Sequence, residues 1–379
     1  MPAYAPSHGD DYMVILDSNC FWLRGLYQYL IYSGDKATVL DLLPTAHKLV
    51  DLFDSFSNRG LIDSPPYPYW LDHAVLDRRG ANLCLNAHYL AGLEDFIKVL
   101  ELLGQKSVID VGVLQERAGQ IRQAIQRGFW NGKEGLFVDA VVDGEQSTLF
   151  SEHSQAMVLA LGIASDEQRD QILAKLLLDD DGNFIQRESG MTIVTPAMSY
   201  FLHAGLCEAG EMDASLNMLW RRFKHMLEPE HNGTLWEEWW LNGSGRRGTF
   251  NYIQGRSDAQ TESAFPPGLF FRYILGIEPV GIGMKEIVLN YCPSERLKKR
   301  EGIIPTPQGD LGVEWHVSAE KYVIHLSVPI HTVLNVNVDT MKDAVLDQIK
   351  HNGSNYPDRV TDFLRLESGQ YQIEILRQR

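Results

Sequence analysis

The sequence predicts a mainly α-helical chain: an α/α toroid of helical hairpins, followed by a C-terminal antiparallel β-sandwich. Over the first two-thirds of the 379 residues, apolar side chains recur at steps of three and four, the spacing of amphipathic helices. After Pro279 the apolar period becomes two, as in strands that bury one face. We therefore divide the chain into a toroid domain, residues 1–279, and a sandwich domain, residues 280–379.

The helical part consists of segments joined alternately by short and long connections. Helices are predicted near 18–33, 36–57, 82–104, 114–132, 151–162, 166–178, 196–209, 212–226 and 259–274. Short connections at 33–35 and 209–211 make antiparallel hairpins. The long ones, 58–81, 130–150 and 229–256, are rich in aromatic and acidic residues, and a toroid collects such loops at one end. A plain α-solenoid is the second choice, but the sequence has no fixed repeat period.

The C-terminal part alternates apolar and polar residues over several short stretches. Buried positions are predicted at Leu311, Val313, Trp315 and Val317, at Tyr322, Ile324, Leu326 and Val328, at Leu334, Val336 and Val338, and at Tyr371, Ile373 and Ile375. Turn residues such as those at 307–310 separate these stretches. Short alternating strands divided by turns are typical of an antiparallel sandwich.

Composition limits the classes of function. Hydrophobic residues make up 44% and charged residues 22%, which excludes a disordered or fibrous chain. Acidic residues outnumber basic ones 50 to 34, so the net charge of −16 disfavours nucleic acid and anionic membranes as partners. No signal peptide or transmembrane stretch is recognisable, and we expect a cytoplasmic protein. Phosphate-loop and metal-binding motifs are absent, so no metal or cofactor is expected.

The strongest candidate site is the loop sequence TLWEEWW at 234–240. Indole faces stack on sugar rings, and a neighbouring carboxylate can take a proton from water, a combination that glycoside hydrolysis requires. The candidates are Trp236, Glu237, Glu238 and Trp239. The alternative is that the tryptophans are core anchors and the glutamates a solvated edge.

A second cluster, at 67–80, combines aromatic residues with carboxylates. Trp70 and Asp72 suit recognition of sugar hydroxyls, because a carboxylate accepts hydrogen bonds from vicinal OH groups. Asp77 is followed by Arg78 and Arg79, and for it we favour a structural ion pair over a catalytic role.

Three further candidates each have a structural alternative. His153 opens a predicted helix, where a capping or core histidine is commoner than a catalyst. Asp17 precedes a predicted helix and is an N-cap candidate first and a ligand contact second. Glu262 is placed at a helix start, where the helix dipole favours a carboxylate in any case.

Several stretches together resemble a known family. They are YLIYSGD at 29–35, WLDHAVLDRRG at 70–80, TPAMSYF at 195–201, TLWEEW at 234–239, YILGIEP at 273–279 and PTPQGD at 305–310. In this order and spacing they resemble the catalytic toroid and C-terminal sandwich of bacterial α-L-rhamnosidases, glycoside hydrolase family 78, among the six-hairpin glycosidases.

The resemblance implies inverting hydrolysis of a terminal neutral sugar, L-rhamnose, from a small glycoside. The general base of the family falls on Glu237, and the loop with Trp70 and Asp72 helps to surround the sugar. Residues 17–19 resemble the segment that enters an early inner helix of the toroid.

The sequence departs from the family in two respects. The general acid lies in an Asp/Arg-rich stretch with no equivalent between Met1 and Asp17, and a histidine expected near Glu262 is missing. About nine helices are predicted where a closed ring of six hairpins has about twelve, so we expect either a missing N-terminal part or a reduced ring. Glu262 is a weak substitute for the acid.

Two other functions are compatible with the sequence. The first is a carbohydrate-binding protein that has kept the sugar pocket but lost catalysis. The second is another glycosidase, or a polysaccharide lyase, on a similar toroid. The acidic loops argue against a lyase, which needs cationic groups near a uronate.

Overall fold

The computed structural model describes residues 14–105, 110–181, 184–229, 231, 233–239, 257, 259–341, 344–355 and 363–377. The chain forms two compact units: residues up to 27 with 40–265, and residues 28–39 with those from 266 onwards. The first unit is mainly helical and the second mainly β-sheet. A helical domain followed by a β domain is thus confirmed, while the domain boundary at 279/280 stays a prediction.

Helices lie where the apolar spacing predicts them. They are α1 (Leu16–Ser33), α2 (Lys36–Ser55), α3 (Leu83–Leu102), α4 (Val111–Gly128), α5 (Glu152–Ala160), α6 (Asp166–Leu176), α7 (Ser199–Glu208) and α8 (Met212–Phe223). The side chains of Asn82 and Ser151 cap α3 and α5 by accepting hydrogen bonds from backbone amides of the first turn. In the helical unit α3 packs on α4 and α5, and α7 on α5 and α8. Closure of these helices into a ring stays a prediction.

The last predicted helix, 259–274, is shorter than expected. Helix α9 covers only Pro266–Leu269 and continues as a π-helical turn, Phe270–Ile274. Proline lacks the amide hydrogen that a helix interior needs and disfavours the helical conformation in the residue before it. The pair Pro266-Pro267 can therefore begin a helix but cannot lie inside one.

Short strands stiffen the long loops of the helical unit. Strands β1 (Ser57–Asn58) and β2 (Leu61–Ile62) form one pair, and β4 (Trp130–Asn131) and β5 (Leu136–Phe137) another. A three-stranded sheet, β3 (Ala81–Asn82), β6 (Ala140–Val142) and β7 (Glu145–Gln146), joins loop 58–81 to loop 130–150. Gly80, at φ +58°, allows this contact, because a Cβ there would lie 2.3 Å from the carbonyl oxygen of Val141.

The second unit consists mainly of two sheets. Their strands are β8 (Ile277–Pro279), β9 (Glu286–Asn290), β10 (Lys299–Thr306), β11 (Gly309–Val317), β12 (Lys321–Val328), β13 (Val333–Asn337), β14 (Ala344–His351), β15 (Ser354–Asn355), β16 (Phe363–Leu366) and β17 (Gly369–Arg377). One sheet has the order β10-β11-β12-β17-β14-β15 and the other β16-β13-β9-β8. Apolar residues of both sheets meet in a single core around Trp315, which is the packing of a sandwich.

Two details correct the prediction for this unit. Strands β9 and β13 pair in parallel, so the sandwich is not wholly antiparallel. Val338 begins a 3₁₀ turn, Val338–Thr340, and does not continue β13. The other predicted alternations are confirmed, and Pro307 and Gln308 form the two-residue connection between β10 and β11.

A buried ionic network lies at the start of α5. Glu152 is fully buried and accepts hydrogen bonds from Arg187 at 2.6 Å and from Arg222 at 2.7 and 2.9 Å. Asp180 and Asp181 accept hydrogen bonds from the same two guanidiniums. Burial alone raises the pKa of Glu152, but Arg222 and Arg187 outweigh this effect and lower it to about 2.

No described helix is both long enough and apolar enough to cross a lipid bilayer.

The network predicts a large effect of Glu152→Gln on stability. The change leaves two buried guanidiniums without their shared carboxylate, and we expect a loss of about 3–5 kcal/mol in the free energy of unfolding at pH 7. Urea titration measures it. The control is Asp166→Asn at the exposed pair with Arg169, with an expected loss of at most about 1 kcal/mol. Equal losses would contradict the network's importance.

The same network predicts a pH dependence. Because the folded pKa of Glu152 lies below its ordinary value of 4.5, its contribution is present above pH 4.5 and lost as the pH falls to about 2. We expect the free energy of unfolding of the unmodified protein to fall more steeply over this window than that of Glu152→Gln. Parallel curves would show that the carboxylate does not titrate as described.

Candidate active site

Glu237 and His73 form a close pair between two loops of the helical unit. The Nε2 atom of His73 lies 2.8 Å from Oε1 of Glu237, and the backbone amide of Ser257 donates to Oε2 at 3.2 Å. The Glu237 side chain is 16% exposed and that of His73 9%, so water reaches the pair. Glu237 is therefore a carboxylate held at both oxygens and still accessible from the solvent.

Trp70 sets the direction of the hydrogen bond between His73 and Glu237. The indole Nε1 donates to Nδ1 of His73 at 3.3 Å, and the two rings meet edge to face with centroids 4.6 Å apart. An indole N–H can only donate, so Nδ1 must be the acceptor and the imidazole proton lies on Nε2. His73 in its neutral form thus donates to Glu237.

Asp17 anchors the loop that carries Trp70. It is buried in the first turn of α1, and its two carboxylate oxygens accept from the backbone amides of Trp70 at 3.0 Å and Leu71 at 2.6 Å. Arg78 donates to the carbonyl oxygen of Trp70 from Nε at 3.1 Å and Nη2 at 2.7 Å. Asp17 is thus not the N-cap of α1, which begins at Leu16, and both its oxygens are engaged by the protein.

Asp72 is turned towards the protein interior. It is 1% exposed; its Oδ1 accepts from the hydroxyl of Thr195 at 2.5 Å, and its Oδ2 from the amide of Thr195 at 3.1 Å. The expected contact with sugar hydroxyls needs an exposed carboxylate, whereas this one connects the loop to residue 195.

Asp77 forms the predicted structural ion pair. Arg79 donates to both of its carboxylate oxygens, at 2.9 and 2.7 Å, and the hydroxyl of Ser147 donates at 2.7 Å. The hydrogen bonds from Arg79 lower the pKa of Asp77 to about 2. The ion pair is confirmed for Arg79, while Arg78 binds backbone carbonyl groups.

An extended segment, residues 192–195, connects the two loops of the site. Its Val194 donates its amide hydrogen to Glu152 at 3.1 Å and accepts from the indole of Trp239 at 3.0 Å. Thr195, next in the chain, binds Asp72. The loop of His73 and the loop of Glu237 are therefore fixed to the same stretch of backbone.

The tryptophans beside Glu237 are core residues. Trp236 is 4% exposed and Trp239 1%, and both belong to an apolar cluster with Phe223, Met226 and Ile193. Their faces are covered by protein, which favours the core-anchor alternative over a sugar platform. Glu238 is also buried, at 3% exposure, so it does not form the solvated edge of that alternative. Trp240 lies outside the described residues.

Glu262 does not lie at a helix start. It is exposed in a turn, accepts from the hydroxyl of Thr261 at 2.9 Å, and precedes the first residue of α9, Pro266. The dipole argument for a carboxylate at this position therefore fails, and Glu262 lacks the buried setting that suits a general acid.

His153 is a core residue. It is fully buried, its Nε2 lies 3.0 Å from Nε2 of His88, and its ring stacks on Phe201 at a centroid distance of 5.7 Å. Burial lowers the pKa of His153 to about 4. The structure thus favours the core alternative for this histidine.

His73 is the functional candidate that sequence reasoning missed. Its only signal was its place in the aromatic and acidic stretch at 67–80, because its partner Glu237 is 164 residues away in the chain. Among the described residues, no three histidine, cysteine, aspartate or glutamate side chains are grouped so that they could hold a metal ion.

Comparison with known sequences places these features in a family context. Residues 276–352 match the family described as the bacterial α-L-rhamnosidase C-terminal domain. An α-L-rhamnosidase of Alteromonas sp. (strain LOR) is 21% identical over 365 residues, which cover 92% of this chain and 37% of that protein. An α-L-rhamnosidase of Formosa agariphila is 22% identical over 263 residues, which cover 68% of this chain and 26% of that protein. The chain thus spans well under half the length of these curated relatives.

Solved structures show the same fold. The family 78 rhamnosidase of Bacillus sp. GL1 matches with a TM-score of 0.68 and 23% identity, covering 81% of this chain and 31% of that one. The α-L-rhamnosidase of Streptomyces avermitilis, solved with L-rhamnose, matches with a TM-score of 0.63 and 17% identity. The match covers 94% of this chain and 32% of that one. The resemblance to bacterial α-L-rhamnosidases is confirmed.

Proposed function

We propose that this chain carries the general base of a glycoside hydrolase that removes terminal α-L-rhamnose from glycosides with inversion, and that Glu237 is that base. The observation that carries the proposal is the accessible Glu237 carboxylate, held by His73 and by the amide of Ser257. The α-L-rhamnosidase relatives support rhamnose as the sugar. They also favour an enzyme over a binding protein without catalysis.

The chemistry of the base follows from these contacts. Oε1 of Glu237 lies within hydrogen-bond distance of His73, and Oε2 accepts from the amide of Ser257. A carboxylate oxygen can accept more than one hydrogen bond, so water can donate to Glu237 as well. A water molecule that donates to Glu237 is aligned for attack on the anomeric carbon. As the water oxygen bonds to that carbon, its proton passes to Glu237, and the glycosidic bond breaks on the opposite face.

Trp70 is our candidate for the aromatic contact with the sugar. It is only partly buried, unlike Trp236 and Trp239, and it lies directly beside His73. Asp17 and Asp72 then act indirectly, by fixing the backbone that carries Trp70 and His73. The leaving oxygen needs a general acid, for which Glu262 is the candidate in this chain, although it lies in an exposed turn.

The first test is turnover of an aryl α-L-rhamnoside by Glu237→Gln. Because the amide cannot accept the proton of the attacking water, we expect kcat to fall by about 10²–10⁴-fold. Glu262→Gln is the matched comparison, and it loses turnover only if Glu262 is the acid. Equal turnover of Glu237→Gln and the unmodified chain would remove Glu237 from the mechanism. Rhamnose binding without turnover, weakened by Trp70→Ala, would favour the binding-protein alternative.

The second test concerns His73 as a positioning residue. Without its hydrogen bond, Glu237 is held less firmly towards the attacking water, and we expect His73→Ala to lower kcat by about 10–100-fold with little change in KM. His73→Asn restores a donor and should recover part of the loss. His47→Ala, at an exposed histidine of α2, is the control. A rise in KM alone would contradict a positioning role.

The third test is the stereochemistry of the product. A general base that activates water opposite the leaving group produces the inverted anomer. Proton NMR during the first minutes of hydrolysis should therefore show β-L-rhamnose before mutarotation. Initial release of the α anomer would indicate a covalent intermediate and would assign Glu237 a different role.

A further inference from the structure

The outer face of the six-stranded sheet carries a cleft that is separate in sequence from the Glu237 site. Its volume is about 740 Å³, and the residues that line it come from β10, β11, β12, β14 and β17, together with Gly353 beyond β14. The inward-facing residues of these strands form the sandwich core, so the cleft belongs to the opposite, solvent-facing side. Gly312 and Ser327 are paired across β11 and β12 and lie at the bottom of the cleft. Because both side chains are small, they leave the space above these strands unfilled.

One row of polar side chains crosses the cleft from strand to strand. The pairing registers align Glu301, Glu314, His325, Gln372 and Lys350 on five neighbouring strands. Neighbouring strands lie about 4.8 Å apart, so the row is about 19 Å long. That length and direction suit an extended chain-like ligand laid across the strands.

The row offers both donors and acceptors. Carboxylates accept hydrogen bonds, the lysine ammonium donates, and amide and imidazole groups do both. Among the residues that the structure describes, the side chains of His325 and Lys350 make no hydrogen bond or ion pair. The ring of His325 meets that of His316 edge to face, with centroids 5.9 Å apart. Beside the row, Gln370 donates to the hydroxyl of Ser327 at 2.7 Å. Ile303, 72% exposed, adds an apolar surface at one end.

The charges of the cleft argue against a polyion as ligand. Glu301 and Glu314 are both paired with Lys299, at 2.6 and 3.3 Å, and Lys350 lies at the other end of the row. A polymer of one charge would meet attraction at one end and repulsion at the other. A polyhydroxylated neutral ligand matches every group present, and its C–H faces match Ile303.

We propose that this cleft binds a neutral oligosaccharide, which lies across the strands along the row from Glu301 to Lys350. The proposal is independent of hydrolysis at Glu237, since it rests on the cleft alone. It gives the β unit a ligand-holding role of its own.

The experiment measures binding of cellohexaose, maltohexaose and a rhamnose hexasaccharide by calorimetry. It uses the full chain carrying Glu237→Gln, so that hydrolysis does not consume the probe. We expect millimolar binding of at least one probe, because the groups of the cleft are partly exposed. Gln372→Ala should weaken that binding by about tenfold, through loss of a central donor and acceptor. Ser327→Phe, which fills the floor, should abolish it.

The matched control is Gln348→Ala, which lies on the same sheet face but outside the cleft lining. It should leave binding unchanged, and circular dichroism of each variant checks folding. Absence of binding for all three probes at about 10 mM would overturn the proposal, as would binding that Gln372→Ala and Ser327→Phe both leave intact. Aryl rhamnoside turnover by the cleft variants, with Glu237 restored, reports separately on the proposed active site.

Discussion

The candidate site depends on the hydrogen bonds of one extended segment, residues 192–195. Thr192 forms isolated β-bridges with Ser151 and Gln186. Beyond it, the buried polar groups of the segment must find other partners, and these come from three directions. Asp72 takes the amide and hydroxyl of Thr195, while Val194 binds Glu152 and the indole of Trp239. His73 and Glu237 lie one and two residues from these contacts, so their distance is set by this segment.

Burial of charge supports the same arrangement. Glu152 uses one carboxylate oxygen for Val194 and Arg222 and the other for Arg187 and Arg222, with no exposed surface. An ion pair in this environment is stable only when its geometry satisfies all partners. The position of segment 192–195 is thus coupled to the guanidiniums beneath it. The exposed ion pairs of α6, such as Asp166 with Arg169, do not fix the position of another segment in this way.

The spacing of apolar residues in the sequence predicted the helices and strands well, but it did not predict the surroundings of the individual site residues. Positions such as Trp315 and Ile324 were predictable, because alternation reports which face of a strand is buried. The π turn after Pro266 and the parallel pair of β9 and β13 were not, since both depend on partners distant in sequence. In the site, Glu237 was found through a local motif. The inward orientation of Asp72 and the burial of Trp239 follow from Thr195 and Val194, which no spacing rule connects to them.

The position of β17 has a consequence for biosynthesis. This strand, Gly369–Arg377, lies between β12 and β14 and hydrogen-bonds to both along almost its full length. The larger sheet therefore lacks an interior member until the chain has been synthesised to residue 377. Until then β12 and β14 expose backbone edges that can pair with other nascent chains. The residues of the helical unit end at 265, so this unit can fold before β17 has been synthesised.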